Sequence, residues 1–179
     1  EVINEYSPEN SQGKRVSAYE DVYNGYVGTN LTLLYDGISN GGSTHNGSAT
    51  TWKNLVGSTL DGTLTGGTWG SNYLAFDGND WVGIAAMNYA NPTIEVVAEV
   101  TTAPTAGNYT YLFDNDESGG YGIGLTSNYK IRGGLWVSSG AAYEFAYAPR
   151  TFYLSRKYHF AFNYNGTNIK LYTDGKDIY

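Results

Sequence analysis

Four segments in the second half of the chain repeat with a period of two, and that repeat most restricts what the chain can fold into. Ile94, Val96, Ala98 and Val100 alternate with Glu95, Val97 and Glu99, and Tyr121, Ile123 and Leu125 alternate with Gly122, Gly124 and Thr126. Ile131, Gly133, Leu135 and Val137 alternate with Lys130, Arg132, Gly134 and Trp136. Tyr158, Phe160, Phe162 and Tyr164 alternate with His159, Ala161 and Asn163. A strand sends successive side chains to opposite faces, so each segment reads as a half-buried antiparallel strand. A helix needs apolar positions three and four apart, and no stretch of three helical turns shows that spacing. Asn165-Gly166 and Asp174-Gly175 are two-residue hairpin signals, because a type I′ turn needs positive φ at both central positions.

Shorter strand candidates precede these, at Leu31–Tyr35, Thr51–Leu55, Gly62–Thr65, Tyr73–Phe76 and Trp81–Ile84. A run of Gly, Ser, Thr and Asn from Ser39 to Thr50 is turn chemistry. Many short strands at this spacing predict an all-β sandwich or barrel. Residues 1–29 differ, mixing Pro8, Gly13, Gly25 and charges without a sustained period, and read as an arm or linker from a preceding module. Residues 30–179 read as the domain proper.

Composition excludes several function classes. With no cysteine there is neither a disulfide framework nor a thiolate metal site. A formal charge of -7 opposes nucleic acid, which needs a basic face to neutralise phosphates, and opposes docking on anionic lipid. No apolar stretch approaches the ~20 residues that span a bilayer, so membrane insertion is not expected. Glu1 opens a polar segment without the basic start and apolar core of a signal peptide. The expected chain is cytoplasmic, or a mature or excised piece of an exported protein.

Several motifs in order resemble the bacterial and phage laminin-G-like domains of the concanavalin A-like lectin and glucanase superfamily. Tyr73-Leu74-Ala75-Phe76-Asp77-Gly78 is similar to their Phe-Asp-Gly strand, and Pro92-Thr93-Ile94-Glu95 to their Thr-Ile-Glu strand. The stretch from Phe113 to Leu125 is similar to their next hairpin. Lys157-Tyr158-His159-Phe160-Ala161-Phe162, with Lys170-Leu171-Tyr172-Thr173-Asp174-Gly175, is similar to their late hairpin. Leu34-Tyr35-Asp36-Gly37-Ile38 and Thr51-Trp52-Lys53-Asn54-Leu55 resemble the opening of versions from gut bacteria and their phages. The resemblance covers about residues 31–179. Lys157 departs from it, standing where the family usually has Trp, and so does the end of the chain shortly after the Asp174-Gly175 turn. The resemblance implies a two-sheet antiparallel β-sandwich of jelly-roll topology, incomplete at its C-terminus. A strand-complementing protein chain is the expected partner at an open edge of that kind.

Retaining glucanases on this sandwich need two carboxyl groups about 5–5.5 Å apart. Glu95 and Glu99 share a face of one strand, but their backbones stand ~13 Å apart, and Val97 occupies the place of an intervening carboxylate. No Ser/His/Asp cluster, nucleotide loop or zinc-type His pair is present, so catalysis is not expected.

Asp114-Asn115-Asp116-Glu117-Ser118-Gly119 has the alternating oxygen ligands and tight turn of a calcium loop, with Asp114 and Asp116 as the expected metal ligands. Laminin-G-like relatives carry calcium in this rim, which the resemblance extends to this chain. Asp77 and Asp80 are a second, weaker pair, already accounted for by a turn.

The polar faces of the later strands form the remaining constellation. By period two, Lys130, Arg132 and Trp136 share one face of their strand, His159 and Asn163 another, and Lys170 and Tyr172 a third. If these strands neighbour one another, the face carries aromatic platforms beside charged and amide groups, which is how sugars are held. Trp136, Arg132, Lys130, His159, Asn163 and Tyr172 are therefore the expected ligand residues. The expected function is non-catalytic recognition of a glycan or a cell-surface protein, as part of a larger surface or phage structural protein. The expected location is extracellular or at the cell surface, with the virion as the alternative. A structural assembly domain that joins subunits through open strand edges is the other reading.

Overall fold

The computed structural model describes residues 30–87, 89–115, 120–137 and 142–178, with the backbone alone at 136, 137, 142–144 and 150. The expected arm over residues 1–29 lies outside the described residues. The described residues are all-β, without a helix, and every strand pairing is antiparallel. The chain divides into two compact units, Glu1–Ala85 and Ala86–Tyr179.

The first unit is loop-rich. Its strands are β1 (Thr51–Trp52), β2 (Gly62–Thr65), β3 (Thr68–Trp69), β4 (Leu74–Ala75) and β5 (Trp81–Gly83). They form a β1-β2-β5 sheet and a β3-β4 ladder. Gly66 and Gly67 turn the chain between β2 and β3 with φ of 72° and 78°, a conformation that a side chain opposes. Leu31–Tyr35 forms no strand. Its backbone is instead held by Asn54, whose Oδ1 accepts from Leu34 N at 3.0 Å and whose Nδ2 donates to Thr32 O at 3.1 Å. Tyr35 stacks on Trp52 with centroids 5.2 Å apart, and Trp52 meets Trp69 edge to face at 5.0 Å. Burial, and then the nearby Asp61 carboxylate, push the Tyr35 phenol well above its usual range.

Asp61 ties β1 to the approach of β2. It accepts from Lys53 Nζ at 2.6 Å and from Asn54 N at 2.9 Å. The Lys53 bond, then the Asn54 bond, hold its carboxyl below the ordinary range. A folded-state value below the unfolded one means stability that is present above the unfolded carboxylate range and lost as pH falls through the folded value. The stability of this unit should therefore decline on acidification. Asp61→Ala should flatten that part of the profile, read as denaturation midpoint against pH. An unchanged slope would show that the Lys53–Asp61 contact carries no linkage.

The second unit is two four-stranded sheets packed face to face. Its strands are β6 (Thr93–Glu99), β7 (Tyr109–Asn115), β8 (Tyr121–Thr126), β9 (Lys130–Val137), β10 (Ala142–Thr151), β11 (Lys157–Tyr164), β12 (Ile169–Thr173) and β13 (Lys176–Asp177). One sheet runs β10-β9-β8-β7 and the other β13-β12-β11-β6. The period-two positions fill the space between them: Ile123, Leu125, Ile131 and Leu135 from one sheet meet Tyr158, Phe160, Phe162 and Leu171 from the other. Gly133 lies where the sheets approach, and a Cβ there would stand 2.6 Å from Phe162 Cδ2 and 2.7 Å from Leu171 Cδ2. Asp174 and Gly175, with φ of 50° and 71°, make the two-residue turn from β12 to β13 that the sequence predicts. Asn165-Gly166 does not make one. Asn165 Oδ1 accepts from Thr167 N and Asn168 N at 3.0 and 2.8 Å, giving a four-residue loop that closes on the Tyr164–Ile169 pair.

Candidate functional site

The outer face of the β7–β10 sheet is assembled from what the core leaves over. Because Ile123, Leu125, Ile131 and Leu135 point inward, Gly122, Gly124, Lys130, Arg132 and Gly134 fall on the outer face. Register places Tyr111, Gly124, Arg132 and Tyr147 in one row across four strands, and Gly122, Gly134 and Phe145 in the next. The three glycines have no side chain to fill the middle of the face, so neighbouring groups lie down over the backbone. A register shift between Tyr111 and Phe113 is what lets Tyr111 face outward while Phe113 turns inward to stack on Tyr121.

Arg132 is drawn into this setting and is only 7% exposed. Its guanidinium carbon sits 3.7 Å from the centroid of Phe145, 4.2 Å from Tyr109 and 5.9 Å from Tyr111. Nη1 donates to the Tyr111 hydroxyl at 3.3 Å. The cation–π contacts offset part of the cost of withdrawing the charge from water. Tyr109, Tyr111 and Tyr147 each keep more than two-fifths of their surface exposed. Burial, then the adjoining Tyr109, raise the Tyr147 phenol above its usual range. Beside these rings a cleft of about 340 Å³ is lined by Asn108, Tyr109, Thr126, Asn128, Lys130 and Tyr147.

The other sequence-predicted residues lie elsewhere. β9 and β11 belong to different sheets, so Lys130 and Arg132 do not meet His159, Asn163 and Tyr172. The latter three share the outer face of the β6–β13 sheet, where polar groups satisfy one another. His159 Nε2 and Glu95 Oε2 are 3.0 Å apart, and Asn163 Nδ2 donates to Thr93 Oγ1 at 2.8 Å. Lys170 Nζ donates to Asp177 Oδ2 at 2.9 Å, and that bond raises the Lys170 ammonium above its usual range. Tyr172 stands opposite the small Ala161. Exposed pairs of this kind are screened by water and contribute little to stability. The backbone of Trp136 pairs with Tyr143, but its side chain lies outside the described residues.

Of the expected calcium ligands, Asp114 is exposed opposite Gly122 and Asp116 lies outside the described residues. Among the described residues no group of three or more His, Asp and Glu gathers to hold an ion. Asp77 and Asp80 are used in a turn, accepting from Asn79 N at 3.0 Å and Asp77 N at 2.9 Å respectively. Glu95 and Glu99 flank Val97 on β6, the edge of its sheet among the described residues, and Val97 is 70% exposed.

Sequence reasoning missed Tyr109, Tyr111, Phe145 and Tyr147. The signal was present in Tyr109-x-Tyr111 and Phe145-x-Tyr147, each flanking the glycine-rich strands on the polar side of the repeat. No family model matches the chain, and no curated protein and no solved structure matches it.

Proposed function

We propose that this chain is a non-catalytic recognition module that binds carbohydrate on the outer face of the β7–β10 sheet. One observation carries the reading: four aromatic rings, Tyr109, Tyr111, Phe145 and Tyr147, stand around a floor made by Gly122, Gly124 and Gly134. Sugar rings present flat C–H surfaces to aromatic faces and hydroxyls to nearby amides, and Asn108, Asn128 and Lys130 supply polar groups at the cleft. The motif order supports a laminin-G-like jelly roll, as part of a larger surface or phage structural protein outside the cytoplasm. Val97 in place of a carboxylate between Glu95 and Glu99 supports binding without turnover.

The test is a glycan array followed by titration of the retained glycan. Each stacking ring contributes ~1 kcal/mol beyond area burial, so Tyr109→Ala and Tyr147→Ala should each weaken binding about fivefold or more. The fold should be preserved, since both rings lie on the surface. Retention unchanged in both variants would remove this face as the ligand site.

A second reading is favoured by β6. Among the described residues it pairs with β11 alone, leaving one edge of a seven-residue strand without a ladder partner. Such an edge suits subunit assembly by strand addition. Light scattering separates the two readings: a concentration-dependent oligomer without glycan retention favours assembly.

A further inference from the structure

We infer that the saccharide held on the β7–β10 face is acidic, with a carboxylate or sulfate group that meets the Arg132 guanidinium. The inference rests on the carbohydrate reading above and deepens it. Arg132 is more than nine-tenths buried, yet every partner it has among the described residues is neutral. A guanidinium carries five N–H donors in a fixed fork. One bond to a phenol at 3.3 Å leaves most of that fork unused. Buried cations are ordinarily paired, because withdrawing a charge from water is costly without an opposite charge.

Burial sets Arg132 apart: it is the one charged residue that is buried among the described residues, and it has no acidic partner there, whereas Lys130, Lys157 and Lys176, which also form no ion pair there, keep contact with solvent. No buried side-chain nitrogen among the described residues lacks a hydrogen-bond partner. The N–H groups of Arg132 that Tyr111 does not use therefore reach the surface of the site, where a ligand can meet them. Lys130 lies two residues earlier on the same face, about 7 Å away along the strand, and lines the adjoining cleft. Two long cationic side chains on one strand face can together meet charged groups on neighbouring residues of an acidic polysaccharide. The planar fork of Arg132 suits bidentate recognition of a carboxylate or sulfate.

The experiment uses the whole chain on an array of uronate-bearing, sialylated and sulfated glycans, each beside its neutral counterpart. Titration then follows with the best acidic glycan and its carboxyl-reduced or desulfated form. The expected result is at least tenfold tighter binding of the acidic form. Carboxyl reduction and desulfation, tested separately, identify which anion is read. Arg132→Gln should erase the difference, and Arg132→Lys should keep part of it. If Arg132→Gln does not fold, Lys130→Gln on the exposed side of the site should still narrow the preference. Equal binding of acidic and neutral forms overturns the inference while leaving the carbohydrate reading intact. Retention of no glycan at all overturns both.

Discussion

Gly133→Val is expected to stop the two sheets of the second unit from closing. A Cβ at this position would already stand 2.6 Å from Phe162 and 2.7 Å from Leu171, both of them fully buried. Contact between carbons is ordinarily near 3.5–4.0 Å, so even one carbon must displace both core residues, and valine adds two further methyl groups. Overpacking a well-filled core typically costs about 1–3 kcal/mol, and the bulk of valine against two fully buried neighbours places this substitution at or above the top of that range. Set against the ~5–15 kcal/mol that holds a domain folded, much of the chain should unfold under mild denaturant. Phe162→Leu in the same chain should recover part of the loss, because it removes one of the two obstructing groups. Chemical denaturation of the single and double variants measures both effects. A Gly133→Val midpoint equal to that of the parent would mean that the sheets do not approach at this point.

Gly133 falls on the inward phase of a period-two repeat, so its face was legible, although the closeness of the opposite sheet was not. The strands with unbroken alternation, β6, β8, β9 and β11, were all legible for that reason. β7 was not, because the register shift between Tyr111 and Phe113 puts residues of equal parity on opposite faces. Lys130 and Arg132 share the outer face of β9, as the repeat predicts, but the strands beside that face are not the ones the repeat suggests. Assigning Arg132 and His159 to one surface required β9 and β11 to share a sheet, and strand order is set by long-range packing that no local pattern records. The Asn165-Gly166 turn illustrates a different limit. Its signal favours a tight hairpin, but the Asn165 side chain bonds two downstream amides and stabilises a longer loop. Leu31–Tyr35 looked like a strand from its apolar content. The Asn54 amide meets Leu34 N and Thr32 O, and Leu55 N meets Leu34 O, long-range contacts invisible to periodicity.

Asn40→Asp is expected to destabilise the first unit strongly at neutral pH and to recover on acidification. Asn40 is fully buried within the turn-rich run from Ser39 to Thr50. Its Oδ1 accepts from Asn46 N at 2.7 Å, and its Nδ2 donates to Asn46 O at 2.9 Å, so the amide closes the loop with one donor and one acceptor. Its own carbonyl accepts from Lys53 N at 2.9 Å, which ties the loop to the end of β1. Aspartate has nearly the same shape but, when ionised, two acceptors and no donor. One oxygen would then face the Asn46 carbonyl without a proton, inside a site closed to water. The protonated form restores the donor, so the folded state should hold a proton well above the unfolded carboxylate range near 3.9. Each unit of that displacement is worth about 1.4 kcal/mol, and a shift past neutrality would cost ~3 kcal/mol or more at pH 7. The sign follows from proton counting. Between the unfolded and the raised folded value the folded chain binds more protons, so the variant loses stability as pH rises and regains it as pH falls. Asn40→Ala, which removes donor and acceptor together, should cost less and show no such pH dependence. Trp52 and Trp69 report on the loop directly, since their indole N–H groups donate to Asp36 O at 3.0 Å and Ala49 O at 2.8 Å. Their fluorescence during denaturation at several pH values is the measurement. An Asn40→Asp chain as stable as the parent from pH 4 to pH 8 would show that the Asn40 amide does not close this loop.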